Sequence, residues 1–488
     1  MPSDMARGTL LRMTSTTIVL LFAVTSIGAA RSDDFGLPAN IQSVMNLRQL
    51  PDESLSIYVE DVDTGEVLLR WREDESRNPA STIKLLTTLV ALDVLGPSYR
   101  WKTDVHLQGE VDGDQLNGDL LIKGYGDPFL VTERVWQLLR AIRRLGIREI
   151  SGDLLIDDNY FDVGDYDPAA FDRQPLRAYN VAPNALLMNF KVVRYWFEPD
   201  PESDGVRVLL DPSLENLRVH NQLGLASGRC RGYQRGIAIT ANDAVDEITF
   251  SGKFPDGCKR YAMDRTALSH NQFVYGLFTT LWRQLGGHFD GGWRNVDASE
   301  ILVADAKPLL SFDSLPLNEM IARVNKHSNN VMARQLVYTL SAEVKGPPGT
   351  EVGGRDVIAD WLTDNDLESC KCAIENGAGL SRDSRIAAVD MVSLLRFAWQ
   401  QPYMPEFLAS MSISGLDGTL RRRFRGSPLI GKAHLKTGSM DHVAAIAGYL
   451  QTRTGRRLAV VAMQNHTDVH RGPGEEVQEA LLRWLYEQ

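Results

Sequence analysis

After its first thirty residues the chain has no run of eighteen uninterrupted apolar residues, so nothing there is long enough to cross a bilayer as a helix. Cationic charge is also in short supply: 52 Lys and Arg stand against 63 Asp and Glu, a formal net charge of -11. Binding nucleic acid requires a surplus of Lys and Arg to neutralise phosphates and release counterions, so this balance argues against nucleic acid as a partner. The single basic run, Arg421-Arg422-Arg423-Phe424-Arg425, reads as a local anionic contact or a solvated face. No Gly-x-Ser-x-Gly elbow and no His-Glu-x-x-His helix occurs, which removes the anchors of an α/β-hydrolase and of a zinc peptidase. Lys123-Gly124-Tyr125-Gly126 lacks the third glycine of a dinucleotide loop. The nine histidines are dispersed and read as surface or core residues rather than as ligands. Four cysteines in 488 residues are too few for a fold held by disulfides alone.

What is present is an ordinary globular composition, 43% hydrophobic and 24% charged, long enough for two to three domains. Forty Gly and 21 Pro spread through the chain disfavour a helix bundle. Arg7 and Arg12, the apolar run Ile18 to Val24 and the small residues Gly28, Ala29 and Ala30 read together as a secretory signal peptide, residues 1–30. Export implies a periplasmic, oxidising location in which the cysteines pair. Cys230 with Cys258 is the preferred bridge. For Cys370-Lys371-Cys372 a local disulfide is favoured over metal, because no second pair or nearby His accompanies it.

The hydrophobic periodicity divides the rest. Strands at 55–59 and 66–69 flank the turn Asp63-Thr64-Gly65, and a helix follows from Asn78-Pro79-Ala80-Ser81 to Gly96-Pro97. From 97 to 300 short strand-like runs alternate with Gly, Asp and Asn, such as 118–122 and 247–250, which predicts an inserted β-rich region of one or two domains. Residues 31–96 and 301–488 then form the other domain, with a strand at 434–436, a hairpin of 444–450 and 458–463, and a closing amphipathic helix at 475–486. The stripe Val477, Leu481, Leu482 and Leu485 on that helix packs on the sheet in the favoured reading, with peripheral membrane association as the alternative.

Three motifs carry chemistry. Ser81-Thr82-Ile83-Lys84 places a hydroxyl and an amine three residues apart at a helix start, on the same side within one turn. A serine is a weak nucleophile until a neighbour takes its proton, and a lysine does so once desolvation and nearby charge lower its pKa. Ser328-Asn329-Asn330 precedes a helix-like run, whereas its rival Ser269-His270-Asn271 reads as a helix cap. Lys436-Thr437-Gly438 ends a strand: Lys offers a fixed cation, Thr a hydroxyl, and Gly close approach of a substrate backbone.

Ser-x-x-Lys, Ser-x-Asn and Lys-Thr-Gly in this order are the set found in penicillin-binding proteins and class A β-lactamases. The sequence resembles the penicillin-binding protein 4 type of D-alanyl-D-alanine carboxypeptidase/endopeptidase over nearly the whole chain after residue 30. Gly126-Asp127-Pro128, Tyr179-Asn180-Val181-Ala182-Pro183, Asn376 to Arg382 and Gly415 to Leu420 add to the likeness, as does the gap of 247 positions between Ser81 and Ser328. The resemblance implies an α+β fold of the β-lactamase/DD-peptidase kind, an antiparallel sheet flanked by helices, with a large β-rich insertion. It implies Ser81 as nucleophile, Lys84 as proton acceptor, Ser328 as proton relay, Asn330 on the substrate amide and Lys436 with Thr437 toward a terminal carboxylate. The N–H groups of Ser81 and Ser439 would form the oxyanion hole, Gly438 would permit close approach, and Arg382 would meet a second carboxylate. Gln174 stands where members selective for a free side-chain amine can carry an acid, with Asp172 close by. Peptidoglycan peptides and covalently acting β-lactams are the implied partners, with no metal or organic cofactor. A β-lactamase-like hydrolase and a catalytically silent wall-binding protein are the competing readings.

Overall fold

A computed structural model describes residues 36–231, 236–296, 307–367, 370 and 372–488. The segment read as a signal peptide lies outside these residues. Among them, no helix is long and apolar enough to cross a membrane.

Strands from both ends of the chain build one six-stranded sheet, in the order Ser412–Ile413, Ala433–Met440, Val443–Gln451, Arg457–Asn465, Leu55–Asp61, Val67–Trp71. Every neighbouring pair is antiparallel. Its central strands are covered on both faces, which explains why Val443–Gln451 is apolar almost throughout instead of alternating. Ala445, Ala447 and Val461 face one layer, made with the helices Lys84–Leu95, Asn330–Lys345 and Ala388–Trp399. Ile446 and Val460 face the other, where the helices Ala39–Leu47 and Pro473–Tyr486 lie. Val477, Leu481, Leu482 and Leu485 are all buried in that second layer. Burial of four large side chains is worth on the order of 6–12 kcal/mol relative to exposure, so the stripe is committed to the sheet. The alternative of a membrane-lying helix is thereby corrected.

Among the described residues, three further sheets lie between the two ends. A seven-stranded sheet is built around Lys102–Asp112 and Gln115–Gly124, and two three-stranded sheets follow. The seven-stranded sheet also takes in Leu310–Asp313, paired to Lys102–Asp112, so its last strand falls after residue 300, where periodicity put the end of the β-rich region. Ser269 caps the helix His270–Gln284 through a reciprocal capping box with Gln272, as the spacing suggested. The basic run divides: Arg423 is largely buried, 3.7 Å from Glu479, while Arg421, Arg422 and Arg425 are left to solvent.

Cys230 and Cys258 are joined, their Cα atoms 4.7 Å apart, and Cys370 is joined to Cys372. The first bridge closes a loop spanning 28 positions, which restricts the unfolded chain by roughly 3 kcal/mol. Cys230→Ser is therefore expected to lower the unfolding free energy by about that amount, read as a fall in the urea midpoint; an unchanged midpoint would show that the bridge does not restrict the unfolded chain.

Candidate active site

Pro79 introduces a four-residue 3-10 turn, Ala80–Ile83, which runs directly into the helix Lys84–Leu95. Ala80 sits at φ +44°, a region that costs a residue with a Cβ and survives only where the surroundings impose it. Here they do. The Ala80 N–H donates to Asn78 Oδ1 at 2.8 Å, and the Asn78 N–H donates to Asn465 Oδ1 at 2.8 Å. The Asn465 amide returns a bond to the Asn78 carbonyl, and the Asn78 amide donates to the Ser381 carbonyl at 3.0 Å. The strained turn aims Ser81 into a cleft of about 890 Å3 that Ser328, Asn330 and Ser439 also line.

Lys84 lies one turn on from Ser81 and is fully buried. Its Nζ donates to Ser81 Oγ at 3.0 Å, to Asn330 Oδ1 at 2.6 Å and to the Ala378 carbonyl. No carboxylate is among these partners. Burial first, then the Lys436 and Arg334 charges, push the Lys84 pKa well below the usual lysine range.

Ser328 and Asn330 are brought in by two helices meeting end to end. The helix Leu317–His327 stops at Ser328, which adopts a left-handed conformation at φ 54°. Asn329 caps the next helix, its side chain accepting from the Met332 N–H at 3.0 Å, and Asn330 is that helix's first residue. Lys436, on the strand Ala433–Met440, is also fully buried and donates to Ser328 Oγ at 2.9 Å and to the Thr437 carbonyl at 2.7 Å. Burial brings its pKa down to about 7. Thr437 Oγ1 donates to Thr419 Oγ1 at 2.9 Å.

Gly438 has a close neighbour within the protein itself. A Cβ there would lie 2.4 Å from the Pro79 carbonyl oxygen and 3.2 Å from the Ser81 nitrogen. What approaches closely is the protein's own nucleophile turn, which the strand could not otherwise meet.

Two of the predicted residues are not gathered into the cleft. Gln174 lines a separate depression, and its side-chain oxygen accepts from Arg177 Nε at 2.7 Å. Asp172, the nearby acid, is occupied by Tyr179 Oη at 2.6 Å and Asn180 Nδ2 at 2.9 Å. Arg382 is exposed, stacks over Phe171 at 5.4 Å and lies 3.8 Å from Asp441. It lines a third depression with Glu375 and Ser381.

Sequence reasoning missed Arg334, the Ala378 carbonyl and the Asn78–Asn465 pair. Arg334 is 2% exposed and donates to the Tyr179 and Val181 carbonyls at 2.7 and 2.8 Å, holding its charge near Lys84. Its signal was an arginine inside the apolar run that follows Asn330.

Known proteins share this arrangement of chain. The D-alanyl-D-alanine carboxypeptidase of Actinomadura sp. (strain R39) is 28% identical over 99% of this chain and 91% of its own. The crystal structure of penicillin binding protein 4 (dacB) from Haemophilus influenzae superposes with a TM-score of 0.76 at 20% identity, covering 92% of this chain and all of that one. The same protein complexed with a novel β-lactam superposes at 0.71 over the same coverage, also at 20% identity. At these identities the solved structures establish the fold. Residues 37–488 match the D-Ala-D-Ala carboxypeptidase 3 (S13) family throughout, and the chain belongs to that family of serine-type D-Ala-D-Ala carboxypeptidases.

Proposed function

We propose that this protein is an exported peptidase acting on D-Ala-D-Ala ends of peptidoglycan stem peptides, and on D-Ala cross-links, through an acyl-enzyme on Ser81. One observation carries the reading: a fully buried Lys84 amine, 3.0 Å from Ser81 Oγ, whose pKa is pushed well below the usual range with no acid beside it. A neutral amine in that place accepts the serine proton as Oγ attacks the penultimate D-Ala carbonyl carbon. The carbonyl oxygen gathers negative charge against the N–H groups of Ser81 and Ser439. As the C–N bond breaks, the proton passes to the leaving amine through the Ser328 hydroxyl, which Lys436 orients at 2.9 Å. Water then takes the serine's part in reverse, releasing the shortened stem.

Asn330 gives its side-chain oxygen to Lys84, so its amide hydrogens are the atoms free to meet the substrate backbone. Lys436, protonated below about 7, attracts the terminal carboxylate. A β-lactam presents a carboxylate and a reactive amide in the same relation. Its leaving nitrogen stays tethered after ring opening, which slows the second step. The β-lactam complex of the Haemophilus influenzae protein supports this reading. The periplasm as location is supported by the signal-like first thirty residues. The catalytic unit is taken as the six-stranded sheet with its two helical layers, with the intervening sheets as the insertion.

Intact-mass measurement after incubation with a fluorescent penicillin tests the proposal. One persistent adduct that peptide mapping places on Ser81, absent in Ser81→Ala, is the expected result. An adduct on another residue would refute the assignment, and rapid turnover of the penicillin would favour a β-lactamase.

A further inference from the structure

The histidines that look dispersed in sequence are not all dispersed in space. The turn joining the strands Ala433–Met440 and Val443–Gln451 carries Asp441 and His442. The segment following the strand Arg457–Asn465 carries Asp468 and His470. A nitrogen from each of His442 and His470 and a carboxylate oxygen of Asp468 all lie within 4.8 Å of one another, the one such grouping of His, Cys, Asp or Glu among the described residues. The two rings stand edge to face, their centroids 5.8 Å apart. Asp441 lies outside that grouping, with one carboxylate oxygen 3.6 Å from His470 Nε2.

We infer that these residues form a site for one divalent transition-metal ion of the zinc class, held by His442, Asp468 and His470. The donor set selects the class. Two imidazoles with carboxylates suit Zn2+ and its neighbours, whereas Ca2+ and Mg2+ take oxygen donors alone and a thiolate site would favour softer ions. Three protein donors leave the fourth position of a tetrahedral ion to water.

The donors must close in for bonds of roughly 2.0–2.2 Å, a side-chain movement on a surface where His442 is exposed and the other two are partly so. Opposing this, His470 Nδ1 now accepts the His442 N–H at 3.0 Å and His442 Nδ1 accepts the Asp468 N–H at 3.2 Å. Metal binding gives up these two neutral hydrogen bonds, which water at the exposed turn can replace, and competes with Arg471, whose Nε lies 3.4 Å from an Asp468 carboxylate oxygen. Direct metal–imidazole and metal–carboxylate bonds are the stronger set.

The location gives the ion a consequence. It would tie the tip of the strand bearing Lys436 and Ser439 to the segment beyond the next but one strand in the chain.

Calorimetric titration of the full-length protein with Zn2+ in chelator-free buffer near neutral pH tests the inference. One equivalent should bind with a Kd on the order of micromolar, weakened about tenfold or more in both His442→Ala and His470→Ala. His220→Ala, on a distant strand, should bind as the wild type does. Co2+ in place of Zn2+ should give the visible absorption of a four-coordinate nitrogen and oxygen site. Absence of saturable binding by the wild type would overturn the inference, as would binding unchanged in either His442→Ala or His470→Ala. Penicillin labelling of the two variants reports that they are folded, and its failure in the wild type would count against the peptidase chemistry alone.

Discussion

Lys84→Ala is expected to slow acylation of Ser81 by penicillin on the order of a hundredfold or more, because it removes the group that takes the serine proton. The Ser81 hydroxyl has Lys84 Nζ at 3.0 Å, and Lys436 turns instead to Ser328. Stopped-flow acylation of the variant measures the effect directly, and an unchanged rate would show that another group is the base. The pH dependence follows with a definite sign. Lys84 works as the neutral amine, so acylation falls as pH drops through its depressed pKa. Lys436 works as the ammonium, so the rate on carboxylate-bearing substrates also falls as pH rises past about 7. A bell-shaped kcat/KM results. In the bound complex the carboxylate raises the Lys436 pKa, which moves the alkaline limb of kcat to higher pH.

Gly379→Ala should damage both the fold and the reaction, even though residue 379 has no chemical part to play. Gly379 is at φ +71°, and a Cβ there would sit 2.0 Å from the Ala80 carbonyl oxygen and 3.0 Å from the Ser81 nitrogen. Both obstacles are backbone atoms, so no side chain can swing aside. Overpacking of this kind costs about 1–3 kcal/mol, to which the left-handed backbone adds about 1 kcal/mol. Relief of the clash shifts either the turn bearing Ser81 or the segment whose Ala378 carbonyl holds Lys84, and a displacement near 1 Å is enough to cost about a hundredfold in rate. Urea unfolding and acylation kinetics should therefore both suffer. Gly455→Ala is the control: its φ is +96°, but a Cβ meets nothing within 4 Å, so it should pay only the backbone cost. Equal behaviour of the two variants would dispose of the packing argument.

These two positions show what a sequence does and does not disclose. Ser81, Lys84, Ser328, Asn330 and Lys436 were legible because the chemistry demands particular side chains at short spacings, and each motif is local. The strands and helices of the sheet were legible from periodicity, down to the buried stripe of the final helix. The Ala378 carbonyl on Lys84 was not, since every residue has a carbonyl and this one is 294 positions away. The Asn78–Asn465 pair spans 387 positions and leaves no pattern in either neighbourhood. Gly438 was read as a point where a substrate backbone approaches; that the protein's own nucleophile turn packs there emerges only in three dimensions. Gln174 was placed by counting from an aromatic, and a count along the chain cannot tell which depression a side chain lines.

The shared sheet also governs when, during biosynthesis, this protein can first become an enzyme. Ser81 and Lys436 are 355 positions apart, and the strands beside the nucleophile turn, Ala433–Met440 and Val443–Gln451, join Leu55–Asp61 only through Arg457–Asn465. A ribosome adding about 5–20 residues per second needs roughly 20–70 s to pass from one to the other. Throughout that interval the nascent chain holds a serine and its lysine but no sheet to set them against. A premature stop anywhere before Arg457 should thus leave an inert product rather than a weakened one, and no fragment from either end should retain partial activity.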